Sequence, residues 1–566
     1  MTTMQIRPRL SVLMLTVVAC CAVAAEPTPT RVAPAGAVAS AAPAATSVGL
    51  GILKAGGNAT DAAVATALAL AVVHPAAGNL GGGGFAVVRM AGEVAALDFR
   101  ETAPAAAHPE MFLGPDGRPL AERSLVGPLA AGTPGSPVGL FELHRRFGRL
   151  PWRRVVTPAI HLALRGFKVN ARLRAELAAG RGLLSRFPET AAVWLPHGRV
   201  PAEGTLIRLP RLGAALQAYA ERGPQALTGG AAAAAIERTV KKHGGVLTAA
   251  DLAGYRAVWR VPLRFRLAGW EVASMPLPSS GGIILGQTAS VLERLGWAAL
   301  PADAVERDHL LVETWRRAFA DRMLLGDPAT TKASEGDLLA APWLDRRAAE
   351  VDRSRATPSG DVASWQPAPR HELPQTTHLS VADGAGNVVS LTTTLNGSFG
   401  CGVLVPRLQI LLNNEMDDFA AAPGSPNLYG LVQGEANAVG RDKRMLSSMS
   451  PTVAWRDGEV IGLGSPGGSR IPTATGQVLL ALVVDGQDLE RAVRAPRLHH
   501  QWVPDEILAE PGALSAASLD TLRRLGHTIR SVERIGEVHA VRRSAAGELE
   551  AVADPRGPGS AATTQR

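Results

Sequence analysis

The sequence predicts a layered protein of the α/β or α+β class, with helices covering β-sheets. Three observations carry this reading. Apolar residues make up 46% of the 566-residue chain and charged residues only 19%, which supplies a large core and argues against a disordered tail or a fibre. Helical patterns dominate the first two thirds of the chain and strand-like runs the last third. Sixty glycines and 41 prolines indicate many turns, and an aromatic content of 4% leaves the core to Ala, Val and Leu.

The N-terminus reads as a secretory signal over residues 1–25, with Arg7 and Arg9, an apolar run from Leu10 to Ala19, and small residues before Glu26. Ala22-Val23-Ala24 offers a cleavage site for a soluble periplasmic product, which is favoured over lipid attachment at the poorer box Val17-Val18-Ala19-Cys20. Cys20 and Cys21 aside, the one cysteine is Cys401, so the mature chain has no internal disulfide. Residues 26–45 form a loose Pro/Ala/Thr-rich lead-in. A buried helix follows over residues 59–73, capped by Thr60 and Asp61 and closed by Pro75. Residues 85–89 and 94–99 read as strands around a turn at Gly92, and Pro151 opens a helix through Leu164 that ends at Gly166. Residues 309–325 are again helical. The prolines at 367, 369 and 374 mark 365–375 as a linker; strands recur after 376, and the tail after Pro555 reads as disordered. No later run of about 18 apolar residues exists, so a membrane-spanning body is excluded.

The formal charge of +8 is mild and scattered, a weak argument for nucleic acid, and no nucleic-acid partner is expected; the densest cluster, Arg145, Arg146, Arg149, Arg153 and Arg154, reads as a solvated face. The chain has no GxxxxGK[ST], GxSxG, SxxK or HExxH. A lone GxGxxG at Gly462–Gly467 is followed by Pro472, which crowds the helix start a dinucleotide site needs. Gly81–Gly84 reads as a backbone packing point, and His499 and His500, without partners at ligand spacing, as structural residues. No metal or other cofactor is expected.

The informative stretch is 375–396. Asp383-Gly384-Ala385-Gly386-Asn387 fits a three-residue hairpin loop with Gly386 left-handed. That loop pairs Asp383 with Asn387, Leu379 with Leu391, Val381 with Val389 and Thr376 with Thr394. Opposite residues share a face, so Thr376 and Thr394 stand side by side. Taken alone, the pair is compatible with ordinary strand threonines.

Several ordered motifs resemble the gamma-glutamyltranspeptidase (glutathione hydrolase) family of N-terminal nucleophile hydrolases. They are Gly56-Gly57-Asn58-Ala59-Thr60-Asp61, His74-Pro75 with Gly78-Asn79-Leu80, Asp98-Phe99-Arg100-Glu101, and Pro278-Ser279-Ser280-Gly281-Gly282. Thr376-Thr377-His378, Leu412 to Phe419, Leu446-Ser447-Ser448-Met449-Ser450-Pro451 and Gly464 to Arg470 complete the series, and the resemblance spans about residues 34–555. It implies an αββα sandwich with two central antiparallel sheets, a large subunit over 26–375 and a small catalytic subunit over 376–566. The precursor would cut itself between Gln375 and Thr376, giving a heterodimer of the two pieces.

The resemblance further implies Thr376 as nucleophile, oriented by Thr394, with Gly467 and Gly468 presenting N–H groups to the oxyanion. Arg100, Ser447 and Ser448 would hold the α-carboxylate of a γ-glutamyl substrate such as glutathione, and Asp418, Glu415 and Asn396 its ammonium. The acyl group would pass to water or to an amino-acid or peptide acceptor. Residues 420–434, including Tyr429, resemble a lid. Met445 departs from the Pro that members commonly carry there, and Cys401, on the acceptor side, from a small hydroxyl residue. The competing readings are a cephalosporin or glutaryl acylase of the same superfamily and a non-enzymatic envelope binding protein.

Overall fold

The computed structural model describes residues 1–2, 36–362 and 376–564. The leader with Cys20, the linker 365–375 with Gln375, and residues 565–566 lie outside them. Seven strands form an antiparallel sheet in the spatial order Ser560–Thr564, Gly36–Ser40, Thr377–Asp383, Val388–Thr394, Gly83–Met90, Glu93–Asp98 and Val258–Arg260. Six more form a second sheet, in the order Leu549–Ala553, His539–Arg543, Glu459–Gly464, Thr452–Arg456, Trp270–Ser274 and Leu263–Leu267.

Strand alternation sorts the layers. Leu379, Val381, Val389 and Leu391 point out of the first sheet and pack with the helices Pro43–Lys54 and Ala59–Val73. Ala382 and Val388 point the other way, onto Val453, Val460 and Val541 of the second sheet. Ser380 Oγ donates to His539 O at 3.0 Å and Ser390 Oγ to Leu463 O at 2.9 Å across the same interface, so buried hydroxyls there are paired. On the far face of the second sheet, Val272, Ala454, Ile461 and Ala540 pack on the helix Ile471–Val483. The result is the expected αββα sandwich.

The helix Ala59–Val73 is apolar around its whole circumference because both sides are covered. Its cap is Asn58, not Thr60: Asn58 Oδ1 accepts from Asp61 N and Asp61 Oδ2 from Asn58 N, both at 3.0 Å, a closed capping box. The helix expected over 309–325 spans Val305–Asp321 and ends in the tight turn Arg322–Leu324. All five arginines of the basic cluster are exposed. Neither the tail nor the lead-in from residue 36 is loose: Ser560–Thr564 pairs along Gly36–Ser40, which also pairs with Thr377–Asp383, and Gly36 N donates to Thr564 Oγ1 at 2.7 Å. No helix among the described residues is long and apolar enough to cross a membrane.

Candidate active site

The hairpin that carries Thr376 folds in the expected register. Gly386 has φ +82° and donates its N–H to Asp383 O, and the ladder pairs Leu379 with Leu391 and Thr377 with Thr393. Continued by one residue, it sets Thr376 against Thr394, on the face turned toward the second sheet. The run Gly81–Gly84 makes this strand end accessible to its neighbour. A Cβ on Gly82 would stand 2.1 Å from Thr394 O, and one on Gly84 2.3 Å from Thr392 O, so this is a packing point where side chains do not fit. Asn79 locks the corner by donating to Thr394 O at 2.7 Å.

Thr376, Thr394, Asn396, Arg100, Glu415, Asp418, Ser447, Ser448, Tyr429 and Gly468 line one pocket. Gly467, next in chain to Gly468, is not among its lining residues. Thr376 is buried at the end of its strand. Thr394 Oγ1 accepts from Asn396 N at 2.8 Å, which fixes the side the hydroxyl presents. Asn396 adopts φ +69°, a conformation asparagine tolerates better than most residues.

Arg100 is positioned through its own backbone: its N–H donates to Asp98 Oδ1 at 2.9 Å and its carbonyl accepts from Tyr255 Oη at 2.7 Å. Asp98 is in turn held by Arg444 and Arg260. The Arg100 guanidinium donates to Glu415 and Asp418 and, at 3.3 Å, to the carbonyl of Met445, an acceptor that proline would offer equally. Burial alone would lower the Arg100 pKa, but Glu415, Asp418 and Glu101 carry it above the ordinary arginine value. The same burial pushes Glu415 well above the usual carboxylate range despite Arg100.

Three loops brace this cluster. Asn413 donates to Gly81 O and Gly132 O and accepts from Gly132 N and Glu415 N, so one amide saturates four backbone groups and fixes the acidic turn Glu415–Asp418. Asp418 Oδ1 accepts from Asn427 Nδ2 at 2.7 Å, tying the lid-like segment to the pocket floor. Tyr429 Oη donates to Asn396 O at 2.5 Å from above. Ser447 O accepts from both Ser280 N at 2.9 Å and Ser280 Oγ at 2.8 Å, and a Cβ on Gly281 would stand 2.1 Å from Ser450 Oγ; the two serine-rich loops therefore approach backbone to backbone.

Gly467 and Gly468 have φ +135° and +56°, values that disfavour any other residue, and neither N–H has a hydrogen-bond partner among the described residues. Cys401 does not approach the pocket; it sits in the helix-side core, and burial pushes its thiol up to about 12. Sequence reasoning missed Arg322, which lines the pocket from the turn after Val305–Asp321. Its helix carries several arginines, and nothing local marks this one. His309, Glu313 and His527 have metal-ligand spacing, but the histidines bond each other at 2.8 Å and Glu313 pairs with Arg316 and Arg317, so an ion would have to displace two guanidinium groups. His499 and His500 are buried and bonded to Thr473, Gln501 and Asp505.

Two antiparallel sheets between helical layers, with a threonine at the start of an inner strand facing a pocket, define the N-terminal nucleophile hydrolase fold class. The gamma-glutamyltranspeptidase family model matches residues 45–564. The chain is 42% identical over 525 residues to the glutathione hydrolase proenzyme of Escherichia coli (strain K12), covering 92% of this chain and 90% of that protein. It superposes on the Bacillus halodurans cephalosporin acylase with a TM-score of 0.81 at 27% identity, over 95% of this chain and 98% of the other. For the Helicobacter pylori gamma-glutamyltranspeptidase the TM-score is 0.56 at 35% identity, over 60% and 97% of the two chains. The chain belongs to the gamma-glutamyltranspeptidase family, a family of enzymes.

Proposed function

We propose that the chain is the precursor of a γ-glutamyltransferase and glutathione hydrolase that cuts itself between Gln375 and Thr376. The observation that carries this is the gathering of Thr376, Thr394, Arg100, Asp418 and the serine pair around one pocket. Before the cut, Thr376 nitrogen belongs to a peptide bond and is no base. Attack of its hydroxyl on the Gln375 carbonyl, followed by hydrolysis of the ester, frees an α-amino group whose reference pKa is about 7.7–8.0, a base within reach of its own hydroxyl.

In turnover, Thr376 Oγ attacks the γ-carbonyl and its proton passes to that amine. The N–H groups of Gly467 and Gly468 receive the oxyanion, and the leaving amine takes the proton. Water or an acceptor amine then resolves the γ-glutamyl ester. The substrate ammonium draws on Asp418, Glu415 and Asn396, which releases Arg100 with Ser447 and Ser448 for the α-carboxylate. Thr394 orients the nucleophile, and Tyr429 closes the pocket. The two pieces, 26–375 and 376–566, stay together as a heterodimer, and the N-terminal pattern supports export to the periplasm, with lipid attachment at Cys20 as its variant.

The fold likeness to a cephalosporin acylase supports a second reading, glutaryl amide cleavage. A glutaryl chain has no ammonium to meet Asp418 and draw it away from Arg100; γ-glutamyl turnover is favoured for that reason. Intact mass, N-terminal sequencing and hydrolysis of γ-glutamyl and glutaryl anilides test both. The expected result is a fragment starting at Thr376, preference for the γ-glutamyl anilide, and a single inactive chain for Thr376→Ala. An uncut wild-type chain that turns over γ-glutamyl anilide refutes the mechanism.

A further inference from the structure

We propose that Arg322 is a specificity-determining residue of the pocket: with Ser448 it meets the α-carboxylate of the bound γ-glutamyl group and sets the preference for a free acid there. The proposal rests on the γ-glutamyl reading above. Two guanidinium groups line the pocket, and before substrate arrives they differ in state: Arg100 must first be released by the ammonium, whereas Arg322 has a donor already open. Arg100 already donates from Nε to Met445 O, from Nη1 to Glu415 and from Nη2 to Asp418. Arg322 is 2% exposed and donates from Nε to Ser280 Oγ at 3.1 Å, while its Nη1 is buried with no hydrogen-bond partner among the described residues.

Ser448 Oγ is in the same condition, buried, lining the pocket and without a partner among the described residues. Two buried donors left open in one pocket carry a desolvation cost that an arriving anion removes. Burial lowers the Arg322 pKa to about 10, with Asp418 opposing and Arg100 adding, the direction expected of a guanidinium that lacks a bonded anion. The two donors are also mechanically linked: Arg322 holds Ser280, and Ser280 holds the carbonyl of Ser447, the neighbour of Ser448. An α-carboxylate has two oxygens with about four acceptor sites, enough for these two open donors beside Arg100 and Ser447.

The test compares γ-glutamyl-4-nitroanilide with the analogue whose α-carboxylate is a carboxamide, in wild type and in Arg322→Met. Loss of a charge-assisted hydrogen bond should lower kcat/KM for the acid about 10- to 100-fold, and that for the amide by less than about threefold. Equal losses on both substrates would assign Arg322 to scaffolding through Ser280 and overturn the proposal, as would unchanged activity on both. If Arg322→Met does not yield processed, folded protein, Arg322→Lys decides: the acid-to-amide ratio should fall by at least about threefold, because the forked donor is lost, and an unchanged ratio overturns the proposal. Wild type that turns over neither substrate refutes the γ-glutamyl reading itself, a different result from active wild type with an unaltered ratio in the variants.

Discussion

Gly468→Ala probes how tightly the lid-like segment around Tyr429 and the glycine pair are fitted to each other. The added Cβ would stand 2.3, 2.6 and 2.8 Å from Tyr429 Cδ1, Cε1 and Cγ, along one whole edge of the ring. That ring cannot tilt freely, because Tyr429 Oη is bonded to Asn396 O at 2.5 Å and Tyr429 N to Asn427 Oδ1 at 3.0 Å. Displacing it costs the hydroxyl bond, about 1 kcal/mol. Holding alanine at φ +56° adds about 1–2 kcal/mol. The sum, about 2–3 kcal/mol charged against the closed pocket, corresponds to roughly a 30- to 150-fold fall in kcat/KM. γ-Glutamyl-anilide hydrolysis by processed enzyme is the assay, with Gly467→Ala as comparison, since its Cβ would approach nothing closer than 3.5 Å and adds backbone strain alone. In a Tyr429→Ala background the Gly468→Ala loss should shrink, because the clashing ring is gone. Wild-type kcat/KM in Gly468→Ala, or an undiminished loss in the Tyr429→Ala background, would refute the reasoning.

Thr394→Ala should slow turnover while leaving the fold intact, whereas Thr393→Ala, whose hydroxyl donates to Gly83 O at 2.7 Å and accepts from Asn79, should lower Tm by removing about 1 kcal/mol per bond and leave the rate nearly unchanged. The reverse pattern in rates and melting temperatures would mean that the face assignment is wrong. Burial, opposed by Arg100, pushes Glu101 up to about 7 from the ordinary 4.5. The folded protein therefore keeps a proton that the unfolded chain has released, and this group's contribution to stability is present below pH 4.5 and lost as pH rises to about 7. The Tm gap between Glu101→Gln and wild type should widen across that window and then stay constant; a gap independent of pH refutes it.

The hairpin was legible because its information is local: Gly386 fixes the loop, the loop fixes the register, and the register puts Thr376 and Thr394 on one face. The strand Ser560–Thr564 was not legible, because Ser, Ala and Thr carry no strand signal strong enough to read until they meet Gly36–Ser40 from the opposite end of the chain. Asn58 was passed over as a cap for a related reason, since Thr60 and Asp61 beside it are equally good capping types and the backbone alone decides among them. Arg322 joins the pocket through tertiary packing, and an arginine at the end of a helix ordinarily reads as a partner for the helix dipole. The site residues suggested by the family resemblance, by contrast, are carried by short motifs in loops, which survive when the packing between them is unreadable.

The order of strands in the first sheet has a consequence for the two pieces that the cut would leave. Gly36–Ser40, from the piece before Thr376, lies between Ser560–Thr564 and Thr377–Asp383, both from the piece after it. Val388–Thr394 is then sewn to Gly83–Met90 of the first piece. Such subunits would be interlaced through main-chain ladders rather than meeting along a flat seam, among the described residues. Dilution therefore has little leverage on the pair, and two separately made chains would have to thread through one another's sheets to assemble. One continuous precursor that folds first and is severed afterwards avoids that topological problem.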